Sequence, residues 1–177
     1  RPRKRFGQHF LHDPAVIRRI VAAIAPQPDD SMVEIGPGRG ALTTLLTERV
    51  ACLHVIEIDR DLVQALRDRF APERVAAHEG DVLEFDFGAL PSGLRVVGNL
   101  PYNISTPFLF HLADFASRIR DGYFMLQREV VERMVAAPGD AAYGRLSVML
   151  AARFAMTQLF RVSAGAFQPP PKVESAI

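Results

Sequence analysis

This 177-residue chain has little cysteine, little net charge and no long apolar run. Its single cysteine, Cys52, excludes a disulfide framework and a thiolate zinc site, and its apolar neighbours suit a buried thiol. No stretch approaches the roughly 20 apolar residues of a membrane span, and the basic start lacks a signal-type core. The five histidines (His9, His12, His54, His78, His111) are scattered without evident carboxylate or cysteine partners, so no metal site is expected. The net charge of +1 does not mark a nucleic-acid binder. There is no internal repeat, and only Pro169-Pro170-Pro171 is of low complexity. These absences leave a cytoplasmic, monomeric protein as the expectation.

An apolar fraction of 49% is enough to bury one substantial core, hence one main domain. Charge is unevenly spread. Arg1, Arg3, Lys4 and Arg5 form a basic arm, with Arg18 and Arg19 on the helix that follows. Such a cluster can bind phosphates or simply be solvated.

Asp13-Pro14 starts a helix, with Asp as cap and Pro at the first helical position, and Pro26 and Pro28 end it. Apolar runs then predict strands over 32–35, 53–58, 75–78, 95–98, 123–126 and 155–162. Helical patterns fall over 41–50, 61–70, 107–115, 129–136 and 145–154. Strands alternating with helices give an α/β fold with a parallel sheet covered on both faces. Ligands in such a sheet bind beyond the carboxyl ends of the strands, at the topological switch point. Glu34 to Gly40, Glu57, Asp81 and Asn99 follow four successive strands at that end.

Gly36, Gly38 and Gly40 let a turn approach a ligand, and Glu57, 21 residues after Gly36, suits ribose hydroxyls. Gly36, Gly38 and Ala41 also satisfy the relaxed dinucleotide fingerprint, which leaves a nicotinamide cofactor open, although Pro37 restricts the loop. Asp81 can accept from an adenine amine. With Asn99 after the fourth strand, the set describes S-adenosylmethionine better than NAD. Asn99-Leu100-Pro101-Tyr102 supplies an amide, a carbonyl before proline and a flat ring, the parts needed to hold a planar amine. Read without its surroundings, it is also an ordinary strand-to-helix turn.

The chain resembles the ribosomal RNA adenine dimethyltransferases, specifically the bacterial branch acting on small-subunit rRNA. The resemblance rests on Arg3-Lys4-Arg5-Phe6-Gly7-Gln8-His9-Phe10-Leu11, Glu34-Ile35-Gly36-Pro37-Gly38, Asn99-Leu100-Pro101-Tyr102-Asn103-Ile104-Ser105 and Phe167-Gln168-Pro169-Pro170-Pro171-Lys172-Val173. Tyr143-Gly144-Arg145-Leu146-Ser147-Val148 is similar as well. The resemblance implies a class I, Rossmann-like methyltransferase catalytic domain over residues 1–177, with a mostly parallel seven-stranded sheet and residues 1–12 as a basic arm and cofactor lid. The last strand is expected to be cut short at Ile177, and the smaller helical docking domain of resembling enzymes to be absent.

The implied activity is methyl transfer from S-adenosylmethionine to the N6 amines of two adjacent adenosines near the 3′ end of small-subunit rRNA. S-adenosylhomocysteine is the other product, no metal is involved, and the immature small ribosomal subunit is the partner. Gln8, His9 and Leu11 would close over the cofactor, Gly36 and Gly38 approach its methionine portion, and Glu57 hold its ribose. Asp81 and Val82 would take its adenine. Asn99 would contact cofactor and substrate, the Leu100 carbonyl would accept from the amine, and Tyr102 and Phe167 would sandwich the base, although Phe167 without its adjoining prolines also reads as a core residue. The family usually carries Asn where this chain has His9, which makes a backbone role safer to assign there than a side-chain one. A nicotinamide-dependent oxidoreductase and a non-catalytic RNA-binding factor are the rival readings.

Overall fold

A computed structural model describes residues 8–177; the basic arm Arg1, Arg3, Lys4 and Arg5 lies outside the described residues. The first described strand, β1 (Phe10–Leu11), leads into α1 (Pro14–Ile24). The Asp13 carboxylate caps that helix by accepting from the Ala15 and Val16 amides. Ile17, Ile20, Val21 and Ile24 form its buried face, each contributing roughly 1.5–3 kcal/mol. Ala25, at φ 48°, closes the helix in the left-handed conformation just before Pro26.

The chain then alternates: β2 (Met32–Ile35), α2 (Ala41–Thr47), β3 (Leu53–Glu57), α3 (Arg60–Arg69), β4 (Val75–Glu79) and β5 (Leu94–Asn99). Next come α4 (Ser105–Ala113), β6 (Ile119–Gln127), α5 (Arg128–Val135) and α6 (Arg145–Ala151). Short strands β7 (Arg161–Val162), β8 (Phe167–Gln168) and β9 (Ser175–Ala176) finish the order. Seven strands form one sheet in the order β4-β3-β2-β5-β6-β9-β7, and β1 pairs with β8 in a separate two-stranded ribbon. The pairs among β4, β3, β2, β5 and β6 are parallel; β9 runs antiparallel between β6 and β7.

Two clusters of buried side chains lie against the sheet, one including the α1 face and the other Phe87, Phe108 and Leu109. The chain winds outward from β2 through β3 to β4, then returns to place β5 on the other side of β2. The switch point is therefore between β2 and β5. Their register puts Gly98 opposite Ile35, where a Cβ would come 2.7 Å from the Ile35 carbonyl oxygen.

Three expectations change. β6 runs nine residues rather than four, because Arg120, Asp121 and Gly122 interrupt its apolar pattern while its pairing with β5 continues across a register shift at Arg120. Only Arg161–Val162 of the stretch 155–162 is strand, since its neighbour β9 presents two residues to it. The Leu159 amide and the Ile177 carbonyl extend that contact at 2.8 Å. The β1–β8 ribbon is new, joining residues far apart in the chain.

Arg95, on β5, is buried at 4% exposure. Its guanidinium donates to Asp121 at 2.9 Å, to Asp30 at 2.7 Å and to the Ile24 carbonyl at 2.6 Å. Burial works against its charge, but the two carboxylates outweigh it and hold it protonated. This cluster ties β6 and the α1 terminus to the sheet. Arg95→Leu leaves the buried Asp30 carboxylate with only the exposed Arg120 and the Gln27 amide, and denaturant unfolding should show a loss of about 3 kcal/mol, the low end of the range for breaking a buried pair.

Candidate active site

The carboxyl ends of β2, β3 and β5 border a cavity of about 70 Å³. Gly36 and Gly38 adopt φ of 62° and 58°, a region open to glycine, so the loop after β2 can fold back tightly over the sheet edge. A Cβ at Gly36 would sit 3.4 Å from the Asn99 carbonyl oxygen, and one at Gly38 3.0 Å from the Phe10 ring. Glu57 ends β3 with its carboxylate turned under this loop: Oε2 accepts from the Gly38 amide at 3.2 Å and Oε1 from the Asp59 amide at 3.0 Å. A carboxylate offers about four acceptor positions, which leaves room for two hydroxyls.

Glu34, at 2% exposure, lies beneath the same cavity and accepts from Thr43 Oγ1 at 2.7 Å. Burial pushes its carboxyl up, the Thr43 hydroxyl pulls it back and the Glu57 charge raises it again, to about 7. Burial also raises Glu57, against the pull of the amides of Asp59 and Gly38. A cationic group in the cavity would favour the ionised form of both acids.

The described part of the amino-terminal segment crosses this cavity as a strap. Gln8, His9, Phe10 and Leu11 all line it. Gln8 Nε2 donates to Asp59 at 3.2 Å, and Leu11 pairs with Phe167 in the β1–β8 ribbon. Arg39 stacks its guanidinium over the Phe10 ring at 4.5 Å.

Asn99 and Leu100 complete the cavity wall with Pro101 and Tyr102. Asn99 Nδ2 donates to the His9 carbonyl at 3.0 Å, which fixes the amide's orientation because a carbonyl can face only the nitrogen. Tyr102 is tethered through its hydroxyl to Ser175 Oγ at 2.6 Å, and burial raises its ionisation above the usual phenol range.

A sequence profile of the family described as ribosomal RNA adenine dimethylase matches residues 1–177. The chain belongs to that family. It is 64% identical over 177 residues to the ribosomal RNA small subunit methyltransferase A of Aromatoleum aromaticum, covering 100% of this chain and 67% of that protein. With the protein of the same name from Thiobacillus denitrificans it shares 61% over 176 residues, covering 99% and 69%. Among solved structures it is similar to a dimethyladenosine transferase from Plasmodium falciparum, with TM-score 0.85, 30% identity, and 95% of this chain and 61% of that one covered. The 23S rRNA methyltransferase ErmE gives TM-score 0.83 and 29% identity, covering 94% and 67%. The fold is accordingly that of the S-adenosylmethionine-dependent methyltransferases.

The polar groups fit such a cofactor: a glycine loop for close approach, a carboxylate for ribose, and paired buried acids beneath a positive charge. With the strap seated, the volume falls short of the roughly 300–1,000 Å³ usual for a ligand pocket. No group of three or more metal-binding side chains occurs among the described residues.

The structure brings Gln8, His9, Leu11, Gly36, Gly38, Glu57, Asn99, Leu100 and Tyr102 around one cavity. Asp81 and Val82 do not line it. The Asp81 carboxylate caps the turn after β4, accepting from the Leu83 amide at 2.9 Å, and Val82 is buried. Phe167 takes the core position in this conformation, the alternative left open beside a base-facing ring. Pairing with Leu11 turns it inward, at 2% exposure, into the cluster that holds Ile24 and Met32. Sequence reasoning assigned no role to Phe10, Arg39 or the buried Glu34. For Glu34 a signal existed, an acid inside an apolar run just before the glycines.

Because Glu34 is raised from 4.5 to about 7 in the folded chain, its contribution to stability is full below 4.5 and is lost as pH rises through about 7. Glu34→Gln removes that slope. Denaturant unfolding across this window should show the variant gaining on the parent by up to ~3 kcal/mol at the alkaline end.

Proposed function

We propose that the chain carries methyl groups from S-adenosylmethionine to the N6 amines of two adjacent adenosines near the 3′ end of small-subunit rRNA. The observation that carries this reading is the position of Asn99-Leu100-Pro101-Tyr102 at the end of β5, beside Gly36 at the switch point. The bound cofactor supplies a sulfonium methyl with an excellent leaving group. The protein's task is therefore positioning and electrostatics.

Adenine's amino nitrogen is a poor nucleophile because its lone pair is delocalised into the ring. Asn99 Oδ1 and the Leu100 carbonyl accept no hydrogen bond among the described residues, so both are open to the two N–H groups of that amine. Two such acceptors favour a pyramidal nitrogen and free its lone pair. The His9 carbonyl keeps the Asn99 oxygen turned to this task by holding the nitrogen of the same amide. Tyr102, fixed by Ser175, offers a ring on which the base can stack, worth roughly 1–3 kcal/mol against the cost of unstacking it. Phe167 joins it as a second face only if the β1–β8 ribbon shifts.

Glu57 is the ribose acceptor in this reading, Gly36 and Gly38 admit the methionine portion, and Asp81 with Val82 meet the adenine. The strap from Gln8 to Leu11 moves outward for the cofactor and reseats over it. Residues 1–177 act as a monomeric catalytic domain in the cytoplasm on the immature small subunit. Among the described residues no helix is long and apolar enough to cross a membrane.

The test is transfer of labelled methyl from S-adenosylmethionine to unmethylated small ribosomal subunits. Label should appear on adenine amino nitrogens. Asn99→Ala should lower kcat on the order of 10²–10³-fold, the range for removing one preorganised hydrogen-bonding group, with cofactor affinity changed less. Undiminished transfer by that variant refutes the role given to Asn99.

A further inference from the structure

His9 meets two of the substrate-facing groups at once. Its carbonyl accepts from Asn99 Nδ2, while its imidazole lies over the Tyr102 ring with centroids 5.5 Å apart and planes inclined by 29°. Nδ1 holds the imidazole there, 2.9 Å from the Pro169 carbonyl. A carbonyl oxygen only accepts, so Nδ1 carries the proton. Tyr102 is anchored from elsewhere, through Ser175. Both rings line the one cavity, and in a contact stack of this kind no third ring fits between them.

The buried Phe167 offers no alternative ring to an incoming base. One face of Tyr102 is already taken, by a flat nitrogen heterocycle of the protein's own. We propose that His9 is an internal plug for the base site: its imidazole occupies the face of Tyr102 that the target adenine uses, and the base stacks only by displacing it. This rests on the reading of Tyr102 as the stacking platform.

The plug can leave without dismantling the site. The bond that orients Asn99 comes from the His9 backbone, so rotation about the side chain's own bonds swings the imidazole off Tyr102 and leaves the amide held. What the base must replace is one aromatic contact and one hydrogen bond to Pro169. The base brings a larger π-surface and an amine for Asn99 and Leu100. His9 thereby sets the affinity threshold for the substrate and keeps the ring covered when no base is present.

The experiment is a fluorescence titration of a short single-stranded RNA containing 2-aminopurine, with saturating S-adenosylhomocysteine, where quenching reports stacking. His9→Ala should bind about three- to tenfold more tightly than the parent, the worth of one aromatic contact. His9→Phe, which keeps a ring at the position, should return to the parent's affinity or weaker. Unchanged or weaker binding by His9→Ala overturns the plug, since the ring would then be a bystander or a support behind Tyr102. Tyr102→Ala should abolish the quench in both backgrounds. A quench that survives it overturns the stacking platform itself, a failure distinct from that of the plug.

Discussion

The site depends on how closely two backbones lie. Gly98 on β5 faces Ile35 on β2, and a side chain at Gly98 would collide with the Ile35 carbonyl oxygen at 2.7 Å. Only a residue without Cβ lets the two central strands keep this register up to their ends. That register brings Gly36 against the Asn99 backbone, so the loop that would cradle the cofactor and the tetrapeptide that would hold the substrate share one wall. Shifting β5 by a few tenths of an ångström would move the Asn99 oxygen and the Leu100 carbonyl together, away from the glycine loop. A strand-end site is precise because the sheet beneath it is closely packed and deforms little.

Charge adds a second constraint. Two carboxyls, Glu34 and Glu57, are held under the cavity at a cost in solvation, and both are pushed above the ordinary carboxylate range. Among the described residues, their hydrogen-bond partners are backbone amides and one threonine hydroxyl. The chain can bury an Arg pair where structure needs it, as at Arg95 with Asp30 and Asp121. The acids beneath the glycine loop contribute a negative potential, and a sulfonium is a ligand of the matching sign.

Much of this could be read from residues alone, for a physical reason. Parallel strands buried on both faces appear as short apolar runs, and the polar residues that end them are where ligands bind. Met32–Ile35 matches its predicted bounds, and Gly36, Glu57 and Asn99 reach one cavity as their strand order requires. What was not legible depends on pairing between distant segments. Two-residue strands have no detectable period, so neither Phe10–Leu11 nor Phe167–Gln168 declares itself, and nothing local says that Phe167 turns inward. β6 was read short because Asp121 looks like a loop residue until Arg95 is seen across the strand from it. Asp81 follows β4 as its place in the sequence suggests, and its carboxylate also caps the turn it begins, a local bond that the residue type alone does not announce.

The His9 position shows how a site can tolerate an unusual side chain. The contacts that tie the strap to its neighbours are largely made by main chain: the His9 carbonyl to Asn99, the His12 amide to the Ala166 carbonyl, and the β1–β8 ladder. A backbone bond is indifferent to which side chain the residue carries. The orientation of Asn99, on which the amine acceptors depend, is therefore insensitive to the side chain carried at position 9. The imidazole, relieved of that duty, is free to take up the ring of Tyr102 and the carbonyl of Pro169. Three segments far apart in sequence, the strap, the end of β5 and the proline run after β8, thus meet at one residue. The strap holds Asn99 through its main chain and leaves the side chain at position 9 to adjust access to the base site.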